Sequence, residues 1–386
     1  SYGIRQLIEQ HRNNANPLYP IEWNEPSFVL GSHFTMPVRG VALYHRSSFE
    51  TGPWEFSAGI RLDVEQSGLS YRSDCSTGYS IYDKTGSVPV LYDSRPIDIH
   101  DSGDLEKTFV ELLPKVSVVY RLPMISLSSV YVSVAKGYKA GGFNTQMFSD
   151  VLQQRLMGLM GLAMTYNIGD VVGYKPEYSW NYEAGAHISC DGGRVAADMA
   201  VFYIDCRNQQ MTTFPDGMTT GRIMTNAGRT RSAGAELQMS WKPARRWSFN
   251  ASYGFTDARF VSYSDGRADY AGKRIPYAPR NTMFVGAAYR QPLACGFADG
   301  LDFNINLRGV GSIYWDDANA VREPFYTQLG ASVRLCHERY SIDFWGENIL
   351  DTHFSTFYFV SIGNAFLQKG KPRRFGVTLR LNFQTA

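Results

Sequence analysis

The sequence has no run of 18 apolar residues, so no transmembrane helix can be drawn through it. It has no excess of one charge. Lys and Arg number 38 against 36 Asp and Glu, and a net +2 raises no field that would draw nucleic acid or an acidic partner. Cysteine is scarce: Cys75, Cys190, Cys206, Cys295 and Cys336 form no CxxC or other metal-ligand spacing. An odd, scattered set reads as unpaired small apolar residues, not as a disulfide framework. There is no GxSxG, HExxH, P-loop or GxGxxG. The expectation is therefore a protein that is not an enzyme, with no metal site and no cofactor. No charged-then-apolar leader opens the chain, which starts at Ser1. Either a leader has been removed or the chain is part of something longer.

Aromatic residues are abundant, at 14% with 24 Tyr and 23 Phe. Mean hydropathy is only −0.26. That pairing suits a soluble all-β protein or a transmembrane β-barrel, where every second residue faces a polar lumen and lowers the average. The alternation favours the barrel. In "YSWNYEAGAHISC", Tyr178, Trp180, Tyr182, Ala184, Ala186, Ile188 and Cys190 share one face. Ser179, Asn181, Glu183, Gly185, His187 and Ser189 share the other. "RWSFNASYGFT", "LDFNINLRGVG" and "FGVTLRLNF" divide in the same way. About thirteen such strands begin near 39, 54, 109, 127, 177, 195, 232, 246, 281, 301, 326, 340 and 374. Most run about 9–14 residues, which suits a tilted bilayer crossing. Trp54, Trp180, Trp241 and Trp247 sit near the ends of apolar faces, as interfacial girdles require.

Connections alternate in length. Short ones fall at 51–53, 122–126, 191–194, 242–246 and 336–339, with a longer link at 291–300. Long ones fall at 71–107, 139–176, 209–231, 260–280, 313–325 and 348–373. Short turns on one side and long loops on the other mark an outer-membrane barrel, with the long loops extracellular. A soluble sandwich would not keep one face so free of charge. In "VYVSVAKGYKAGGFN", Val130, Val132 and Val134 are expected to face lipid, and Tyr131, Ser133, Ala135 and Gly137 the lumen. Lys136, on the lipid side, would snorkel to the headgroups.

Seven stretches, in order, resemble one family. "EFSAGIRLDVE", "VYVSVAKGYKAGGFN", "YKPEYSWNYEAGAHIS", "NAGRTRSAGAELQMSWKPARRWSFNASYGFTDARF", "IPYAPRNTMFVG", "GENILDTHFSTF" and "RRFGVTLRLNF" are similar to blocks of TonB-dependent outer-membrane receptors, siderophore receptors in particular. The resemblance implies a 22-stranded antiparallel barrel preceded by a plug, of which residues 1–386 would hold about thirteen strands and no plug. An independent 14-stranded barrel is the alternative. It implies uptake energised through TonB acting on the missing plug, with a ferric siderophore as ligand. A passive pore, or a receptor for haem, cobalamin or an oligosaccharide, is the alternative reading. It implies outer-membrane lipid as surroundings, and assembly through a last strand whose usual terminal Phe is Phe383, here followed by "QTA".

Two residue sets are candidates for function. Glu183, His187, Glu236, Arg308, Arg334, Asp343 and Arg380, with Glu55, Arg61, Asp63, Asp198 and Glu347, face the lumen by register. The resemblance implies that they meet the plug, and mutual pairing across strands is the plainer reading. Tyr138, Phe143, Asn144, Tyr314, Trp315, Asp316, Asp317, Phe354, Phe357 and Tyr358 lie in long loops, where binding residues concentrate. Some belong instead to the girdle, and Phe143 could simply pack beneath its loop. "VLQQRLMGLMGLAM" (151–164) reads as a short loop helix.

Overall fold

The computed structural model describes residues 2–29, 31–123, 128–145, 168–213, 223–226, 228–264, 268–361 and 364–382, and the single positions Phe148, Leu152 and Gly158. Thirteen long strands form one antiparallel wall in chain order. They are β1 (Val38–Thr51), β2 (Trp54–Asp83), β3 (Val90–Arg121), β4 (Ser129–Lys139), β5 (Glu177–Cys190), β6 (Val195–Arg207) and β7 (Arg229–Ala244). The rest are β8 (Trp247–Ser262), β9 (Asn281–Cys295), β10 (Ala298–Gly311), β11 (Tyr326–His337), β12 (Tyr340–Glu347) and β13 (Arg374–Leu381). The chain is all-β in its wall, as the alternation predicts.

Register carries the apolar face from strand to strand, because directly opposed residues point the same way. Val132 opposes Ala184, Ala184 opposes Val201, and Val201 opposes Ala235. Further along, Val285 opposes Leu307, Val333 opposes Phe344, and Phe344 opposes Val377. These side chains stay bare: Val132 is 55% exposed, Val201 58%, Phe344 55% and Val377 61%. A soluble protein would bury such a surface, and a bilayer buries it for this one. On the inner face, rings lie flat over glycines of the next strand. A Cβ on Gly185 would stand 2.6 Å from the Tyr131 ring, and one on Gly234 would stand 2.4 Å from the Phe202 ring.

Among the described residues β1 and β13 each pair on one side only. Successive antiparallel strands reverse direction, so β1 and β13 run the same way. Among the described residues no ladder joins them.

β2 and β3 are 30 and 32 residues long, and here the fold departs from the expectation of a loop over 71–107. The two strands continue, paired residue by residue, to a tip at 84–89. At about 3.3 Å per residue each reaches about 100 Å, far beyond the roughly 30 Å of hydrocarbon. The pattern changes face along the way. From Trp54 to Val64 the even positions are the apolar ones: Trp54, Phe56, Ile60, Leu62 and Val64. From Leu69 to Ile81 the odd positions Leu69, Tyr71, Ser73, Cys75, Thr77, Tyr79 and Ile81 are buried, and the even ones are polar or Gly. Helix α1 (Tyr2–Ala15) packs Ile8 against that second face, and the short strands Ile21–Trp23 and Gly31–Thr35 pair along the edge of β2 that β3 leaves open. Ile8, Ile21, Trp23, Phe28, Cys75, Tyr79, Ile81, Ile97 and Ile99 form a core there.

Two smaller expectations are also revised. The 291–300 link is a tight turn, since β9 runs to Cys295 and β10 resumes at Ala298 with an irregularity after Pro292. Lys136 does not extend outward. Its Nζ lies 2.8 Å from Glu111 Oε2, 5.3 Å from the centre of the Tyr178 ring, because β3 and β4 part after Ala135 and open a polar niche. The loop helix expected over 151–164 lies outside the described residues apart from Leu152 and Gly158, as does Phe383.

Ile21 is fully buried, so Ile21→Ala in the complete protein should cost the projecting module about 2–5 kcal/mol. Limited proteolysis should then cut within residues 1–35 while the heat-modifiable barrel band is unchanged. Loss of that band as well would show that module and wall fold as one unit.

Candidate functional site

The inner face of the wall carries charge in two zones. On β5–β7 the zone is acidic. Tyr131 Oη donates to Glu183 at 2.7 Å, and His187 Nδ1 lies 2.6 Å from Asp198. The Tyr131 and His187 rings stack at 5.2 Å. Glu236 shares that groove with Glu183, His187 and Asp198. On β9–β12 register sets Arg290, Asp302, Arg334 and Asp343 side by side, a row of alternating sign across four strands. Arg290 lies 3.7 Å from Asp302, and Arg334 2.8 Å from Asp343. Further pairs join Arg61 to Asp63 at 2.9 Å and Arg121 to Glu55 at 3.0 Å. Arg308 and Arg380 line one recess with Asp343 and Glu347, and Arg374 bonds Glu347. His187–Asp198, Arg334–Asp343, Arg121–Glu55 and Arg374–Glu347 pair across strands, whereas Arg61 and Asp63 pair along β2. The inner face also leaves buried atoms without a protein hydrogen bond, among them Asp302 Oδ1, Asp343 Oδ1 and Arg334 Nε. Such atoms are expensive to leave dry.

The long loops gather at the other end of the strands, and asparagine amides staple them in pairs. Asn144 Nδ2 donates to Met224 O and its Oδ1 accepts from Met224 N, both at 2.7 Å. Asn226 makes the same two-way bridge with Lys175 at 2.8 and 2.9 Å. Asn319 makes it with Arg274 at 2.7 and 2.9 Å. Each amide supplies one donor and one acceptor to a single residue of the neighbouring loop, as a β-bridge partner would. Two loop groups result. One joins 140–145 and 173–176 to 208–213 and 223–226. The other joins 268–280 to 312–325, and Glu323 Oε2 ties the latter to 348–361 by accepting from Ser355 N at 3.1 Å.

The loop candidates divide between these groups. Phe143 is 5% exposed and packs with Leu69, Tyr71, Phe148 and Val172 beneath its loop. Tyr138 lies 5.9 Å from Tyr178, ring to ring. In the second group Asp316 is occupied by its own turn, accepting from Ala320 N at 3.1 Å and Val321 N at 2.8 Å. Asp317 follows it in that turn. Phe354 stacks on Tyr326 at 4.3 Å. Trp315, Phe357 and Tyr358 meet around one residue absent from the candidate list, Tyr277. Its ring lies 5.4 Å from Trp315 and 5.7 Å from Phe357, and its hydroxyl donates to Tyr358 O at 2.7 Å. Tyr277 has φ +61° and is 46% exposed, whereas Trp315 is 6% exposed. A left-handed tyrosine held by three neighbours is a fixed, outward-presented ring. Its sequence signal was an aromatic between two prolines in "IPYAP". Among the described residues no cluster of three metal-ligating side chains occurs.

Comparison with known proteins gives a consistent picture. The family described as "TonB dependent receptor-like, beta-barrel" matches residues 5–349. The pesticin receptor of Yersinia enterocolitica is 26% identical over 255 residues, 66% of this chain and 34% of that receptor. The ferrioxamine receptor of the same species is 28% identical over 160 residues, 42% of this chain and 21% of that receptor. Among solved structures, the ferric yersiniabactin uptake receptor FyuA of Yersinia pestis superposes with TM-score 0.60 at 18% identity, over 95% of this chain and 57% of that one. The chain thus spans about a third of the length of the first of these curated relatives.

Asn319→Ala should free two backbone groups of Arg274, a loss of about 1–3 kcal/mol for two hydrogen bonds. Hydrogen exchange in the complete receptor should speed at the Arg274 amide and leave the Met224 amide, stapled by Asn144, unchanged. Equal speeding at both would mean that the two loop groups are one body.

Proposed function

The chain belongs to the TonB-dependent receptor β-barrel family, and from that premise we propose that it supplies most of the barrel wall of a receptor that imports a ferric siderophore across the outer membrane. The observation that carries the reading is the wall itself, apolar outside and charged inside, matched to the family over residues 5–349. The names of the relatives support the ligand class, since a ferrioxamine receptor and a ferric yersiniabactin receptor are among them.

In this reading the strands missing between β13 and β1 lie elsewhere in the complete protein, together with a plug. Closure matters because each unpaired backbone group facing hydrocarbon costs several kcal/mol. The inner charges then have two duties. Arg334 pairs with Asp343 and steadies the wall, while atoms such as Asp343 Oδ1 await polar groups of the plug. A plug held by many such bonds can be shifted by force applied through TonB without breaking the wall. The long-loop end is extracellular, and ligand meets it there. Tyr277, braced by Trp315 and Phe357, offers an exposed ring, and Tyr358 fixes its hydroxyl. Asp316 and Asn144 act beneath the surface by holding loop shape.

In the complete receptor, Tyr277→Ala should weaken binding of the imported siderophore by about 1–3 kcal/mol, in the range of an interface anchor. Surface abundance should stay near normal. Unchanged affinity, measured by titration of purified receptor, would move the binding surface to the other loop group.

A further inference from the structure

At the long-loop end, the outer face of the wall finishes in a belt of arginines, and register sets its rows. Tyr182, Tyr203, Ala233 and Asp257 oppose one another across β5 to β8. Two residues further along each strand, Trp180, Asp205, Arg231 and Arg259 form the next row, and an isolated β-bridge adds Arg274 to it. Tyr178, Arg207 and Arg229 form the row beyond. The strand positions among these have the same parity as Ala184, Val201, Ala235 and Phe255, so they share the lipid-facing side. Their height agrees with a membrane boundary. Arg231 stands ten positions before Trp241 on β7, and Arg259 ten positions after Phe249 on β8. Trp241 and Phe249 stack at the opposite end of the strands, and about 9–11 residues make a tilted crossing.

The belt carries more positive charge than it neutralises. Asp205 Oδ1 takes Arg229 at 2.6 Å, and its Oδ2 lies 3.9 Å from Arg207. Asp257 takes both Arg259 at 2.9 Å and Arg274 at 2.8 Å. Arg280 lies over the Phe255 ring at 5.3 Å. Arg231 is exposed and has no carboxylate partner among the described residues. Arg231, Arg259 and Arg274 thus stand side by side in one row, with the single carboxylate of Asp257 beneath them. Like charges placed directly opposite destabilise a sheet, so the row costs the wall stability until an anion sits on it. Arg259 is already held in place for one. Its Nε donates to Asp257 and its Nη1 to Gly272 O at 3.1 Å, which leaves Nη2 free among the described residues.

We infer that this row is a binding site for the phosphate of a membrane lipid. Arg231 and Arg259 grip the phosphate oxygens, a contact for which the planar guanidinium with its several N–H donors is suited. Below them the Tyr182 and Tyr203 rings, 6.4 Å apart, stand at the headgroup boundary where such rings settle. The acyl chains run down the wall over Ala233, Ala235 and Val201. The occupant is a lipid because the row lies on the face that these strands turn to hydrocarbon. Basic groups at the membrane edge select anionic headgroups. A zwitterionic headgroup brings its own cation to the same row and loses that advantage. The inference needs only the bilayer around the wall, not the identity of the imported ligand.

The test is native mass spectrometry of the complete receptor in mild detergent, with phosphatidic acid and phosphatidylcholine of identical chains at equal concentration. Only preparations that keep the heat-modifiable folded band are compared. The wild type should retain phosphatidic acid over phosphatidylcholine by about tenfold. Arg231→Gln breaks no ion pair among the described residues and should lower that ratio about fivefold, the equivalent of about 1 kcal/mol for one cation at a membrane surface. Arg231→Gln with Arg259→Gln should bring the ratio close to one. Arg245→Gln with Arg246→Gln, in the short turn 242–246, should leave it unchanged. Glycerol phosphate at the same concentration should not displace the lipid. Equal retention of the two lipids by the wild type, or a ratio unchanged by Arg231→Gln, overturns the site and is the result expected if an acidic protein segment covers the row. A ratio that falls as far with the short-turn pair as with Arg231→Gln puts the phosphate elsewhere, and displacement by glycerol phosphate makes the occupant a soluble anion. Either of these also overturns the assignment.

Discussion

Backbone pairing in hydrocarbon is the constraint from which this structure follows. An amide in the bilayer has no water to bond, so every strand of the wall must find a partner on each side. That requirement explains the next-neighbour order of β1 to β13, the long registers, and the near absence of irregular backbone between the two ends of the strands. It also bears on the two end strands. Among the described residues β1 and β13 run the same way, so no antiparallel ladder can join them directly.

The same constraint decides where apolar side chains go. Within the bilayer they face outward and the polar ones inward, the reverse of a soluble fold. β2 shows both rules on one strand. Trp54 to Val64 turn their apolar face to lipid, while Cys75, Tyr79 and Ile81 turn inward to the core with Ile8 of α1, and Leu69 and Tyr71 to the one with Phe143 and Phe148. The reversal between Val64 and Leu69 marks the height at which lipid gives way to water, and the eleven residues below it match the 9–11 of a tilted crossing. Above it the protein builds an ordinary core, and its loops are held by amide staples together with small buried clusters such as that around Phe143.

Much of the wall was legible because alternation in a barrel strand is a direct record of two solvents. The thirteen strands and most of their starting points follow from that record. The projecting part of β2 and β3 was misread as loop. Its polar positions Arg72, Asp74, Ser76 and Ser80 look like loop chemistry, and the alternation resumes on the opposite face. Lys136 was placed by parity alone, which cannot foresee that β3 and β4 part beside it and offer Glu111. Parity puts the candidate lumen set on one face of each strand, but the row Arg290, Asp302, Arg334 and Asp343 needs the register between strands, which no single strand contains. In the loops, residue type alone could not separate the exposed ring of Tyr277 from the buried rings of Phe143 and Trp315. There the asparagine staples decide, and these join residues 45 to 80 positions apart.

The central claim is that this wall has one face in lipid and the other in the lumen. Single cysteines at 130 through 135, placed in the complete receptor without its five native cysteines and labelled with a small fluorophore, test it most directly. Reconstituted with brominated phospholipid, labels at 130, 132 and 134 should be quenched strongly, and labels at 131, 133 and 135 weakly. Quenching that rises and falls smoothly along the six positions, or that favours the odd ones, would contradict the account.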